Sequence, residues 1–210
     1  LLMGGHMGRP GAGACPVRGH SNVQGDRTMG IYEKPAPEFL AKLGEVFGFT
    51  PPAAHGFDVI AAIEAMLEGS AKLFIGMGGN FATATPDTRK THEALRNCEL
   101  TVHISTKPNR SHLVHGRQAL ILPCLGRTEV DQQEAGPQAV TVEDSMSMVH
   151  LSCGMNAPAS KDLLSEPAIV AGIAQATLRS RSATPWQWLV QDYDRIRDRI
   201  AAVIPGFEDL

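Results

Sequence analysis

The chain has 210 residues, 43% of them apolar, and a formal net charge of −3. That length can bury a real core, as one domain with or without appendages. The small charge favours neither nucleic acid nor an anionic membrane surface as a partner. No apolar run approaches the roughly 20 residues that span a bilayer, and Leu1–His6 lacks the basic region and long apolar core of a signal peptide.

The first residue is Leu, and Leu1-Leu2-Met3 reads as the end of an earlier helix. Pro205–Leu210 stops without a tail, so an internal piece of a longer chain is expected. Cys15, Cys98, Cys124 and Cys153 form no C-x-x-C pair. They point to neither zinc nor a disulfide framework, and a reducing, cytoplasmic compartment is expected.

Residues 4–30 are glycine-rich and show no helical or alternating period. Arg9, Arg18, His20, Asn22 and Gln24 place donors among the glycines, a mixture that suits wrapping an anionic ligand better than it suits a linker. A helix is predicted over Pro37–Phe47, with Phe39, Leu40, Leu43, Val46 and Phe47 on one face. Gly48 ends it and Pro51-Pro52 prevents its continuation. A second helix is predicted from about Asp58 to Glu68 and stops at Gly69.

Ala71–Ile75 is an apolar run that enters the glycine cluster Gly76-Met77-Gly78-Gly79-Asn80. This predicts a buried strand, a tight turn and then a helix opening at Thr85-Pro86-Asp87 and reaching Asn97. Glycines admit a ligand close to the backbone, and a helix start presents free amides to a phosphate. Leu100–Ile104 is the next strand, followed by the loop Ser105–Arg110 and a brief helix around Ser111–His115. Ala119–Pro123 is the third strand. Strands and helices alternating at this spacing imply right-handed crossovers and a parallel sheet covered on both faces.

Beyond it, Val140–Val142 and Met146–His150 are expected to be short extended pieces. Helices are predicted over Glu166–Leu178 and Trp188–Val203. The fold class is α/β, a Rossmann-like three-layer domain preceded by the glycine-rich loop. Its expected parts are the loop 1–34, the nucleotide-binding domain 35–180 and a C-terminal helix 181–210.

Gly76-Met77-Gly78-Gly79-Asn80-Phe81 resembles G-x-G-x-x-G only until Phe81. The second strand also ends at His103–Ser105 without the carboxylate that holds an NAD ribose. A nicotinamide-dependent enzyme and a non-catalytic nucleotide-binding module both remain open on these residues. Cys124 has no neighbouring base to make it a nucleophile, and the histidines show no metal-ligand spacing.

Several separated motifs, in order, resemble the formate dehydrogenase branch of the molybdopterin oxidoreductases. They are Gly8-Arg9-Pro10-Gly11, Arg18-Gly19-His20-Ser21-Asn22-Val23-Gln24-Gly25, Gly76–Asn80, Leu122-Pro123 and Gly126-Arg127-Thr128-Glu129. The nearest likeness is to formate dehydrogenase-like alpha subunits, some of them linked to acid resistance. The resemblance implies a Rossmann-like domain of a multidomain enzyme that holds molybdenum between two molybdopterin guanine dinucleotides. It also implies a 4Fe-4S cluster and the metal ligand outside this stretch, a small anionic substrate such as formate, and an electron-transfer partner of unknown kind.

By the same resemblance, Arg18 lies near the metal, where its guanidinium either holds a carboxylate through two parallel bonds or simply neutralises the cofactor phosphates. His20 stands where Gln is usual, which changes charge and donor pattern beside the substrate. Asn22 and Gln24 contact the pterin. Gly76, Gly78, Gly79 and Asn80 approach the guanosine diphosphate, with Phe81 replacing the family's Pro. His103, Ser105 and Thr106 fall at the next strand end, where the family places guanosine-binding residues. Pro123 lines the third strand end, Glu129 matches a family glutamate just beyond it, and both are expected to contact the cofactor.

Overall fold

The computed structural model describes residues 1–15, 19–20 and 22–208, arranged as mixed α and β structure. Helix α1 (Val23–Thr28) forms within the glycine-rich stretch, where no helical period is legible. Tertiary bonds hold it. Asn22 Oδ1 accepts the Glu143 amide at 2.9 Å, and the Thr28 hydroxyl donates to the Glu143 carboxylate at 2.6 Å.

Helix α2 (Pro37–Phe47) begins on a proline and ends at Gly48, whose φ of 68° permits the left-handed stop. Helix α3 (Val59–Leu67) is capped by Asp58, whose side chain accepts the Ile60 and Ala61 amides. Strand β1 (Leu73–Met77) follows, then a glycine turn and the four-residue helix α4 (Phe81–Ala84). The longer helix α5 (Thr88–Asn97) starts only after Asp87, which caps it, so Pro86 precedes the helix rather than opening it. Strand β2 (Leu100–Ser105), a 3-10 turn (Arg110–Leu113) and strand β3 (Gln118–Pro123) complete a three-stranded parallel sheet in the order β1-β2-β3.

The register places Phe74 and Gly76 beside Thr101 and His103 on one face, and Leu73, Ile75 and Met77 beside Leu100, Val102 and Ile104 on the other. Helices α3, α4 and α5 cover the first face at β1 and β2, while Ile121 of β3, on the same face, is 53% exposed. Ile63, Met66, Ala82, Ala94, Leu95 and Cys98 form its core, with Phe74 packed against them. The Asn97 amide group ties α5 to α3 by donating to the Met66 and Leu67 carbonyls.

The rest of the chain leaves from the end of β3 and returns to it at Leu164, which bridges Cys124. Hairpin β4 (Asp131–Gln133) with β5 (Gly136–Gln138) leads into the antiparallel pair β6 (Val140–Glu143) and β7 (Val149–Ser152). Helix α6 (Glu166–Leu178) then returns across the second face and packs Ile169 and Ile173 on Ile104, Leu122 and Cys124. The expected third layer therefore covers only part of that face.

Helices α7 (Trp186–Gln191) and α8 (Asp194–Val203) replace the single helix expected over Trp188–Val203. The break has a cause. Asp192 is extended, and the Tyr193 amide leaves the helical ladder to donate to Gln138 Oε1 at 2.7 Å. Tyr193 and Val190 then pack with Ala171 of α6.

Leu95 is fully buried where α5 meets the sheet. Leu95→Ala is expected to lower unfolding stability by about 2–5 kcal/mol, read from urea midpoints. Substitution of the exposed Arg89 on the same helix should leave the midpoint nearly unchanged.

Candidate functional site

Three connections leave the carboxyl edge of the parallel sheet, where ligands of such folds are bound. After β1, Gly78 and Gly79 both have positive φ, 63° and 64°, and a Cβ on either would meet nothing within 4 Å. The turn needs glycine for its backbone, and it faces open space. Gly76 differs. A Cβ there would press on the Phe74 ring and on His103 Nδ1, so this glycine serves packing.

The turn is latched to the connection after β2. The Gly78 amide donates to the Ile104 carbonyl at 2.8 Å, and Asn109 Nδ2 donates to the Gly79 carbonyl at 2.6 Å. The Ser111 hydroxyl donates to Asn80 Oδ1 at 3.1 Å and accepts the Ala82 amide at 3.0 Å. The helix expected to offer its first amides to a phosphate is α5, where the Asp87 side chain already accepts the Lys90 amide. The single turn α4 intervenes between it and the glycines, and the Ala82 amide of α4 is taken by Ser111. Ser105 also has local work: its hydroxyl donates to the Lys107 carbonyl at 2.8 Å and steadies the loop.

Beneath the turn lies a histidine pair. His103 on β2 is only 5% exposed, and its ring centroid is 5.0 Å from that of His112. His112 Nδ1 accepts the Asn109 amide at 2.9 Å, which puts its proton on Nε2. Among the described residues, neither His103 Nε2 nor His112 Nε2 has a hydrogen-bond partner. Burial, then the nearby rings of His112 and His115, pushes the His103 pKa down. His112 is part of this half-buried stack.

The third connection borders a cleft of about 390 Å³ whose walls include His20, Thr106, Glu129, Asp131, Ser165 and Tyr193. Glu129 accepts the Gly126 amide at 2.6 Å and the Ala159 amide at 2.5 Å. Those two bonds hold its carboxyl below the usual range and clamp the Gly126–Glu129 loop to the segment before α6. On the far wall the Tyr193 hydroxyl donates to Asp131 and lies 2.8 Å from the Ser165 hydroxyl. Burial first, then the Asp131 carboxylate, raises the Tyr193 pKa, so the phenol keeps its proton. Cys124, behind this wall, is pushed up to about 11 by burial with help from Glu166 and Glu129, and stays a thiol.

The structure gathers the expected residues into two groups. Gly78, Gly79 and Asn80 form the turn, while His20, Thr106 and Glu129 face the cleft. Pro123 pairs with Ser105 at the strand ends. Asn22 binds the Glu143 amide, its own amide donating to His20 Nδ1 at 3.2 Å, and the Gln24 carbonyl accepts the Thr28 hydroxyl. Arg18 lies outside the described residues.

Asp131, Gln138, Ser165 and Tyr193 of the cleft, and Asn109 and Ser111 of the latch, were not expected from the sequence. Two local signals are legible there: Ser165 stands as the N-cap of α6, and Asn109 with His112 has the spacing of a capping box, which the structure forms. Among the described residues, no group of three or more His, Cys, Asp or Glu is placed to hold a metal ion. No helix among them is long and apolar enough to cross a membrane.

No protein-family model matches the chain. Over 209 residues, the whole of this chain, it is 59% identical to Rv2900c, an uncharacterized oxidoreductase of Mycobacterium tuberculosis, and 58% identical to protein YdeP of Escherichia coli K12. The chain is homologous to these proteins along its whole length. It spans 27% of the length of each. A Bacillus subtilis protein proposed to be a formate dehydrogenase, YrhE, is 33% identical over 110 residues, 49% of this chain and 11% of that protein.

His103 sets a pH dependence. Above the ordinary histidine value of 6.5 the ring is neutral in both states, and the fold keeps its full stability. Below it, the unfolded chain takes up the proton more readily than the folded one, so stability falls towards the lower folded-state value. Urea midpoints at pH 7.5 and 5.5 should drop less in His103→Gln than in the parent; equal drops would contradict the assignment.

Proposed function

We propose that this chain is the nucleotide-gripping part of a molybdenum oxidoreductase resembling formate dehydrogenase. Its Rossmann-like sheet would hold the guanine dinucleotide portion of one molybdopterin at the carboxyl edge. The observation that carries this reading is the pairing of an open, doubly left-handed glycine turn with a cleft of nucleotide size at the same edge of the sheet. The homology to a named oxidoreductase and the partial match to a proposed formate dehydrogenase support it.

The residues present fit such a group. Gly78 and Gly79 leave room for a diphosphate against bare backbone, and Asn109 and Ser111 hold that backbone still. Thr106 and Glu129 stand on the cleft side, where a hydroxyl and an ionised carboxylate can meet a base and ribose. His20 reaches the same cleft and would stand near a small anion such as formate, with Arg18 as its expected companion. When bound, the metal and its pterins would supply two-electron redox chemistry, while these residues bind, orient and exclude water. The 4Fe-4S cluster and the metal ligand would come from other parts of the longer protein.

The nicotinamide reading is less well supported. Strand β2 ends at Ser105, whose hydroxyl is turned onto the Lys107 carbonyl, with no carboxylate placed for a ribose.

The test uses the complete gene product. Gly78→Val puts a β-branched residue at a left-handed position, a cost of about 1–2 kcal/mol to the fold. It also fills the approach to the turn, for which about tenfold weaker retention is expected, equivalent to about 1.4 kcal/mol of binding. Molybdenum by mass spectrometry and guanine nucleotide released by acid should both fall in the variant, with circular dichroism unchanged. Undiminished molybdenum and guanine, or saturable quenching on titration with NADH, would overturn the reading.

A further inference from the structure

Strand β1 reads Leu73-Phe74-Ile75-Gly76-Met77, with no polar residue at any position. A strand solvated on one face alternates apolar with polar, whereas one buried on both faces in a parallel sheet is apolar throughout. The described structure covers only one side of β1. Phe74 packs against α3, α4 and α5, while Leu73, Ile75 and Met77 are 52%, 48% and 47% exposed. Across the sheet, Ile75 is in register with Val102, which is 5% exposed in the middle strand, and then with Leu120, which is 50% exposed on the same face, so the bare positions lie on the two outer strands. The next row, Met77, Ile104 and Leu122, shows what is missing, because α6 lies over its Ile104 and Leu122 end and leaves Met77 bare. An apolar face of this extent marks an interaction surface.

We propose that the open face formed by Leu73, Ile75, Met77 and Leu120 is covered by an apolar helix from the rest of the same polypeptide, lying beside α6 and completing the third layer. The length of chain outside this stretch argues for that occupant. The homologues match this chain from end to end, yet it accounts for only 27% of their length. A helix is the element that covers a parallel sheet face, since crossover connections place helices there. The second face already has one in α6. The inference rests on the homology and the bare face, and it stands whether or not a pterin is bound at the strand ends.

The test is thiol accessibility in the complete gene product carrying Ile75→Cys, with Leu120→Cys as a second position should the first variant fold poorly. Alkylation of the introduced thiol, followed peptide by peptide, is expected to be at least about tenfold slower in the native protein than in urea. A photo-crosslinker attached to the same thiol is expected to capture a peptide from outside these 210 residues, within one chain. Equal rates in native and unfolded protein would overturn the proposal. Cross-links to a second copy or to a foreign protein would overturn it as well.

Discussion

The shape of the carboxyl edge of the sheet depends on the latch between the connections after β1 and β2. A parallel sheet presents its strand ends as separate loops, each with backbone groups that must find partners. Here Asn109 takes the Gly79 carbonyl, and Ser111 takes both Asn80 and the Ala82 amide of α4. The 3-10 turn that carries Asn109 and Ser111 is itself closed by the His112 ring. One short segment therefore fixes the shape of a turn about thirty residues away, and leaves its two left-handed glycines facing open space.

The latch and the cleft divide the work by chemistry. At the turn the available groups are backbone and amide, suited to a phosphate or ribose that must come close. In the cleft they are a carboxylate, hydroxyls and an imidazole, with the Tyr193 phenol locked between Asp131 and Ser165 as a stiff wall. Glu129 belongs to both structure and site, because each of its oxygens already accepts a backbone amide while its side chain borders the cavity. The helix α5, whose start was expected to face a phosphate, is set off from the glycine turn by the single turn α4, so the backbone next to the turn is that of Gly78, Gly79 and α4.

What was legible in the sequence is what local chemistry decides. The three strands, the glycine turn and α2, α3 and α6 follow from apolar runs, Asp58, Gly48 and Ser165. What was not legible is decided by partners distant in sequence. Helix α1 carries Gly25 in its middle and exists because Glu143 holds both its ends. Hairpin β4–β5 is polar, and its Gln138 and Asp131 are engaged by Tyr193 more than fifty residues later. The break between α7 and α8 comes from the same tyrosine. His103 was visible as a residue at a strand end, but its burial beneath the turn against His112 needed the tertiary structure.

The central claim is that the carboxyl edge of this sheet grips a nucleotide-bearing pterin. A cryo-electron microscopy map of the complete gene product, purified with its bound groups, tests it most directly. The account requires continuous diphosphate and base density against the Gly78-Gly79 backbone and along the Thr106 side of the cleft. A map showing that turn packed against protein, with the cleft holding only solvent, would contradict it.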